Sequence, residues 1–245
     1  MKRMLLSLLL LAATNQMMLA QNYWGLLYPN AQVVSAGVNA NPGMNVSADY
    51  LSSPSGFTWN NRPVALVGSV TMPLFSQKGF DIDVRVGAGT IFEFNNSFKI
   101  LSGVSWGFHR SEDINGRYIN TGFKLDFYPG HYGSKWVLAP HIGIDYRPWV
   151  HIWHSDYVKA AFNDLHSSPA SFNGPVDGWF HQRYMRLQLG FSSTYFRERW
   201  NVNVIAGFQY DSNKLGLTTL PDIGILPFYG GVSMGYVLSN RNNNP

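Results

Sequence analysis

The residues that could do chemistry gather in one stretch. Trp153-His154-Ser155-Asp156 sets an imidazole, a hydroxyl and a carboxylate side by side. These are the parts of acyl-transfer catalysis. His154, Ser155 and Asp156 are therefore the catalytic candidates, although neighbours in sequence form a triad only if their reacting groups meet in space. A wider set of acids and imidazoles surrounds them: His141, Asp145, His151, His154, Asp156 and His181. His151 and His154 could sit near enough to bind a divalent ion, but a lone loop pair of histidines is more often solvated or stacked on aromatics, so no metal is assigned. No cofactor is expected either. Gly87-Ala88-Gly89 lies inside an alternating run and precedes no helix, which is not how a dinucleotide loop is built. The chain has no cysteine, which excludes disulfides, thiolate metal sites, cysteine nucleophiles and a lipid anchor on Cys.

A second feature is aromatic. Trp136, Tyr146, Trp149, Trp153, Trp179 and Trp200 fall near the ends of alternating runs. Rings at headgroup level of a membrane are the simplest account, and a sugar-binding platform is the alternative.

The elements that must position these residues are strands. From Gly79 to His109 the pattern has period two. Phe80, Ile82, Val84, Val86, Ala88, Thr90, Phe92 and Phe94 share one face, opposite Asp81, Asp83, Arg85, Gly87, Gly89, Ile91 and Glu93. Asn95-Asn96 offers a turn, and the alternation resumes with Phe98, Ile100, Val104, Trp106 and Phe108 against Lys99, Gly103, Ser105, Gly107 and His109. Comparable runs occupy Gln32–Ala40, Met44–Leu51, Arg62–Leu74, Arg117–Tyr128, Lys135–Arg147, His181 to about Tyr195, Trp200–Tyr210 and Ile223–Leu238. Turn or loop signals separate them at 41–43, 52–61, 75–78, 110–116, 129–133, 197–199 and 211–221. Pro148–Phe180 breaks the rhythm and reads as one long connection, with a short helix over 155–165.

Composition agrees with a membrane wall. Of 245 residues, 45% are hydrophobic, 15% aromatic and only 13% charged. A water-facing domain carries about a quarter charged residues. The net charge of +4 is scattered, with no basic cluster interleaved with aromatics, so no nucleic acid is expected as a partner. Met1–Ala20 has a positive start at Lys2-Arg3 and an apolar run of signal-peptide length.

This leader resembles those of Gram-negative outer-membrane proteins, and Ala20-Gln21-Asn22 is similar to export leaders common in the Bacteroidota. With the alternating runs, the chain resembles a small outer-membrane β-barrel. Omptin-type proteases share a ten-strand count and rim Asp and His residues, but no stretch here matches their motifs and no residue is carried over from them. Tyr236 is the nearest candidate for the aromatic that commonly ends the last strand of such barrels.

The expected fold is all-β: a transmembrane antiparallel up-and-down barrel of ten strands, with eight as the alternative. Residues 1–20 form the signal peptide. Residues 21–245 form one barrel domain, with its long extracellular loop at about 148–180. Even strand number and short periplasmic turns favour ten, which requires a break at Asn41-Pro42-Gly43. Asp81, Asp83, Arg85, Glu93, Lys99, Lys124, Asp126, His141, Asp145, Arg147 and Arg186 are expected to line the lumen. The resemblance implies placement in the outer membrane of a Gram-negative bacterium, contact with outer-membrane lipid and lipopolysaccharide, and handling by the barrel-assembly machinery. The 148–180 loop is where an extracellular ligand would bind. The functional expectation is a structural, surface-interaction or minor transport role. A narrow passive channel, a barrel enzyme acting on lipid or peptides, and a secreted soluble β-sandwich stand as alternatives.

Overall fold

The computed structural model describes residues 31–40, 44–74, 81–165, 176–212 and 228–239. The leader, the Asn41-Pro42-Gly43 turn, the 75–78 connection, Phe80, most of the 211–221 loop and the C-terminal tail lie outside the described residues.

The described strands are β1 (Gln32–Ala40), β2 (Met44–Ser52), β3 (Thr58–Trp59), β4 (Arg62–Pro73), β5 (Ile82–Glu93), β6 (Phe98–Glu112), β7 (Gly116–Tyr132), β8 (Trp136–His154), β9 (Gly178–Arg197), β10 (Trp200–Asp211) and β11 (Phe228–Ser239), with one helix, α1 (Asp156–Leu165), between β8 and β9. Apart from the two-residue β3, each strand pairs antiparallel with its sequence neighbours. β1 also pairs with β11, Val34 opposite Tyr236 and Val38 opposite Val232. β2 pairs with β4. The sheet therefore closes on itself as a ten-stranded up-and-down barrel. An eight-stranded wall is excluded because both β1 and β2 are part of the ring. β3 is a small side hairpin, turned by Asn60 and Asn61 at positive φ.

Closure gives the alternating faces opposite surroundings. On β10, Asn201, Asn203 and Ile205 are buried while Val204 and Phe208 are exposed. On β9, Gln188 is fully buried while Leu187, Leu189 and Phe191 are exposed. Val84, Phe123, Leu187 and Phe208 stand on the open outer face of a single sheet. The outer aromatics recur at a fixed spacing. Phe98 and Phe108 on β6, Trp136 and Tyr146 on β8, and Trp200 and Tyr210 on β10 are all exposed and each pair is ten residues apart. Ten residues of a strand tilted by about 40° rise about 25 Å, the height of the apolar band of a membrane barrel. At one level Trp136 meets Tyr195 at 4.7 Å and Trp200 meets Tyr236 at 4.6 Å. At the other, Trp106 meets Phe123 at 4.5 Å and Trp149 at 6.0 Å. The wall has the apolar band and paired aromatic girdles of transmembrane β-strands.

The strands are longer than the sequence pattern suggests on one side of the barrel. The connection expected over 148–180 is shorter, because β8 continues to His154 and β9 begins at Gly178. The cause is a register irregularity between Arg147 and Trp149. Pro148 lacks an N–H, the ladder shifts there, and the alternation changes phase. Below it Asp145 points inward; above it Val150 and Ile152 are buried and Trp149 and Trp153 are exposed. The polar loop expected over 110–116 is likewise only a three-residue turn. Asp113 Oδ1 accepts hydrogen bonds from the amides of Asn115 at 2.7 Å and Gly116 at 3.1 Å, closing it. Asn95 turns the chain by the same device, accepting from Ser97 and Phe98, and not through left-handed backbone angles. β6 to β9 thus rise as a tall wall beyond the end of the barrel that carries the longer connections. α1 caps it. The Ser155 hydroxyl oxygen accepts from the Val158 amide, and Asp156 opens the first turn.

Small residues on the inner face leave room for large ones. A Cβ added at Gly207 would lie 2.4 Å from the Leu189 carbonyl oxygen and 2.7 Å from the Tyr229 ring, whereas one at Gly68 would meet nothing within 4 Å. Gly207→Ala should therefore lower the unfolding free energy in detergent by about 1–3 kcal/mol, the usual cost of overpacking. Gly68→Ala should leave it unchanged or slightly raised. Equal effects from the two would contradict the assigned faces.

Candidate functional site

Two sets of polar side chains occupy the barrel, one in its lumen and one on its tall wall. In the lumen, four charged residues meet across the interior. Arg85 donates through Nε to Asp83 Oδ1 at 2.9 Å and through Nη2 to Asp145 Oδ2 at 2.9 Å. Arg147 Nη2 donates to Asp83 Oδ2 at 2.7 Å and to Asp145 Oδ2 at 3.0 Å. Period two puts one acid and one guanidinium two residues apart on both β5 and β8, so each acid serves an arginine of its own strand and one from across the barrel. His109 is the cross-strand partner of Asp83, and Arg186 that of Asp145. Bidentate arginine pairing of this kind has the geometry that repays the cost of burying charge.

The next level down is a chain of four groups. Lys124 Nζ donates to Asp126 Oδ1 at 2.9 Å, and the same oxygen is 2.8 Å from His141 Nε2. His141 Nδ1 is 2.7 Å from the Tyr229 hydroxyl, and Tyr128 stacks on the His141 ring at 4.7 Å. Asp126, His141 and the neighbouring Gln188 are wholly inaccessible to water-sized contact from outside (0% exposed). Gln188 and Asn201 hold amides with no protein hydrogen-bond partner among the described residues, the kind of group that an internal water satisfies. Towards the 198–199 turn an apolar cluster packs among the buried polar side chains of Ser192, Thr194, Asn201 and Asn203. Val33, Leu51, Val67, Ile91, Leu101 and Phe196 belong to one buried cluster with Tyr128 and Tyr229. The interior thus has an ionic half towards the long connections, a histidine-centred seam, and a far end where an apolar cluster packs beside buried polar side chains of β9 and β10.

The eleven residues expected in the lumen divide on this geometry. Asp83, Arg85, Lys124, Asp126, His141, Asp145 and Arg147 make the two networks. Arg186 stands beside them, over the Tyr184 ring. Asp81 sits just before β5, and Glu93 pairs with Lys99 beside the 94–97 turn, at the opposite end of the barrel. Tyr229, His109 and Gln188 belong to the lumen as well and were not singled out in the sequence. Their position in the alternation is the signal that marks them.

On the tall wall the candidates His154, Ser155 and Asp156 do not assemble. The Ser155 hydroxyl donates to the Ile114 carbonyl at 2.8 Å and caps α1, and Asp156 opens that helix. The acid beside His154 is Asp177, 3.1 Å from His154 Nδ1. Asp177 also accepts from the His154 amide at 2.8 Å and, through its other oxygen, from Lys159 Nζ at 2.8 Å. The residues form a clasp that ties α1 to the start of β9. His151 stands apart from it, its ring 3.8 Å from Trp153 and 5.0 Å from Trp179. His141 and Asp145 lie in the lumen, so the rim set of acids and imidazoles is divided between two compartments. Among the described residues no cluster of three or more His, Asp or Glu has the proximity to hold a metal ion.

Asp145 is 1% exposed, and removing its charge leaves two buried guanidiniums short of an acceptor. Asp145→Asn should lower the unfolding free energy by about 3–5 kcal/mol in equilibrium urea titrations. A change within error would show that the four-residue network adds nothing. The Asp177 carboxyl is held well below the ordinary carboxylate range, first by Lys159 Nζ and then by the His154 amide. A lowered native pKa means that the clasp is complete above the unfolded carboxylate pKa and is lost as pH falls through the native one. At neutral pH, Asp177→Asn should raise amide exchange over 156–162 and leave the wall strands protected; unchanged exchange there would contradict the clasp.

No family model and no curated protein matches this chain.

Proposed function

We propose that this protein is a small, non-enzymatic outer-membrane barrel with a closed interior, and that its working surface is the tall wall over β6–β9 and α1. The observation that carries this reading is the filled lumen. Gln188, His141, Asp126 and Asn203 face inward and are fully buried, alongside a buried apolar cluster. A conduit for hydrated solutes needs a wet path past that level. The tall wall, by contrast, has the longest strands among the described residues. β8 and β9 run 19 and 20 residues, against 9 for β1 and β2.

Placement in the outer membrane of a Gram-negative bacterium is part of the proposal. It is supported by sheet closure, by the ten-residue spacing of outer aromatics, and by the leader-like start of the sequence. The same reading orients the barrel with its tight turns at 94–97, 133–135 and 198–199 in the periplasm and the tall wall at the cell surface. Outer-membrane lipid, lipopolysaccharide and the barrel-assembly machinery are its expected partners, and the tall wall is where a further extracellular ligand would bind.

Planar-bilayer recording tests the closed interior. The full chain, reconstituted and shown to be inserted, should give no steady conductance of porin size. Stable open channels of that size would overturn the reading and favour transport.

A further inference from the structure

Most outer aromatics fit two girdles, but one group stands clear of them. Trp149 contacts Trp106 at the girdle towards the long connections. Trp153 lies four residues further along β8. Four residues of a tilted strand lift it about 10 Å above that girdle. Trp179, the cross-strand partner of His151, stands beside it on β9 and is 59% exposed. The His151 ring fills the gap between the two indoles. Arg117 is directly opposite Trp153 on β7. Its guanidinium donates to Glu112 at 3.1 Å, and Arg110 reaches the same carboxylate at 3.5 Å. Two guanidiniums therefore share one carboxylate on this face.

This face is directed outward. Tyr118, Val150 and Ile152, which alternate with Arg117, His151 and Trp153, are buried together on the opposite side of the same strands. The patch is thus continuous with the lipid-facing wall, yet lies above it. Its height decides between classes of lipid. A phospholipid headgroup layer is about 5–8 Å thick, so its charged groups end below Trp153. A glycolipid carries sugar and phosphate to that height and beyond. The chemistry agrees. The C–H faces of a pyranose ring stack on the electron-rich faces of indoles, and a guanidinium binds phosphate in bidentate fashion.

We propose that the outward face of the tall wall, built on Trp153, Trp179, His151 and Arg117, is a binding site for the phosphorylated sugar headgroup of an outer-leaflet glycolipid. The site rests on the outer-membrane reading and on the orientation given above. It would fix the rotational setting of the barrel among its lipids, because at that end only the β6–β9 side carries such a patch among the described residues.

The test uses the full chain folded in detergent micelles. It is titrated separately with lipid A bearing its inner-core sugars, with the same glycolipid stripped of phosphate, and with phosphatidylglycerol, and retained lipid is counted by native mass spectrometry. Wild type should retain the intact glycolipid over phosphatidylglycerol. Arg117→Gln, a change at a half-exposed side chain, should cut that retention about fivefold or more, the loss that marks an interface side chain with a real share of the binding. The variant should no longer distinguish the phosphorylated from the stripped glycolipid. Trp153→Ala with Trp179→Ala should weaken both glycolipid forms. If that double change prevents folding, Trp179→Ala alone is read in its place. Equal retention of phosphatidylglycerol by wild type, or unchanged glycolipid retention in Arg117→Gln, would overturn the site. Insertion of wild type into phosphatidylcholine vesicles is scored separately. Failure there counts against the membrane reading, whereas insertion without glycolipid preference counts against this site alone.

Discussion

The backbone hydrogen bonds between β1 and β11 are the constraint on which everything else depends. A strand edge left open to hydrocarbon strands a row of N–H and C=O groups, each costing several kcal/mol. Pairing Gln32–Ala40 with the stretch from Gly230 to Ser239 removes the last two edges at once. Once the ring is shut, every strand has one face inside and one outside, and the sequence must satisfy two different media residue by residue. The oily outer set and the polar or tightly packed inner set are consequences of that single topological fact.

Closure at ten strands also fixes what the lumen can hold. The ring is narrow enough for Arg85 of β5 to reach Asp145 of β8, and for Tyr229 of β11 to reach His141 of the same strand. Side chains from opposite walls therefore touch, and small inner residues such as Gly207 make the space for the large ones. Charges gather where solvent is nearer, and the apolar cluster contributes burial without needing partners. His141 stands at the boundary, stacked on an apolar-cluster tyrosine and bonded to an acid of the ionic side.

Much of this was legible in the sequence, and the misses have identifiable causes. Period-two alternation was enough to place Val84 and Phe108 on the outer face and Lys124, Asp126 and Asp145 inside, because a strand has no other way to segregate its side chains. Even parity was enough to split 31–51 into two strands. Alternation failed where the backbone departs from regular pleating. The phase change at Pro148 made a continuous strand look like the start of a loop. The Asp113 turn was too compact for a run of polar residues to reveal its boundaries. The candidate site was less readable still. His154 and Asp177 are 23 residues apart and meet only because β8 and β9 are neighbours, so proximity in sequence pointed to Ser155 and Asp156 instead. Ser155 serves the helix it begins.

The central claim is that hydrocarbon touches the outer face of this wall. The chain has no native cysteine, so single nitroxide labels can be placed without background. Val86→Cys, Leu189→Cys and Phe208→Cys, labelled and reconstituted in bilayers, report accessibility to apolar oxygen against a water-soluble nickel chelate by electron paramagnetic resonance. All three should be accessible to oxygen and shielded from the chelate, at depths inside the two aromatic girdles. Free access of the chelate to these sites would mean that water, not lipid, bathes the wall, and the account would fail.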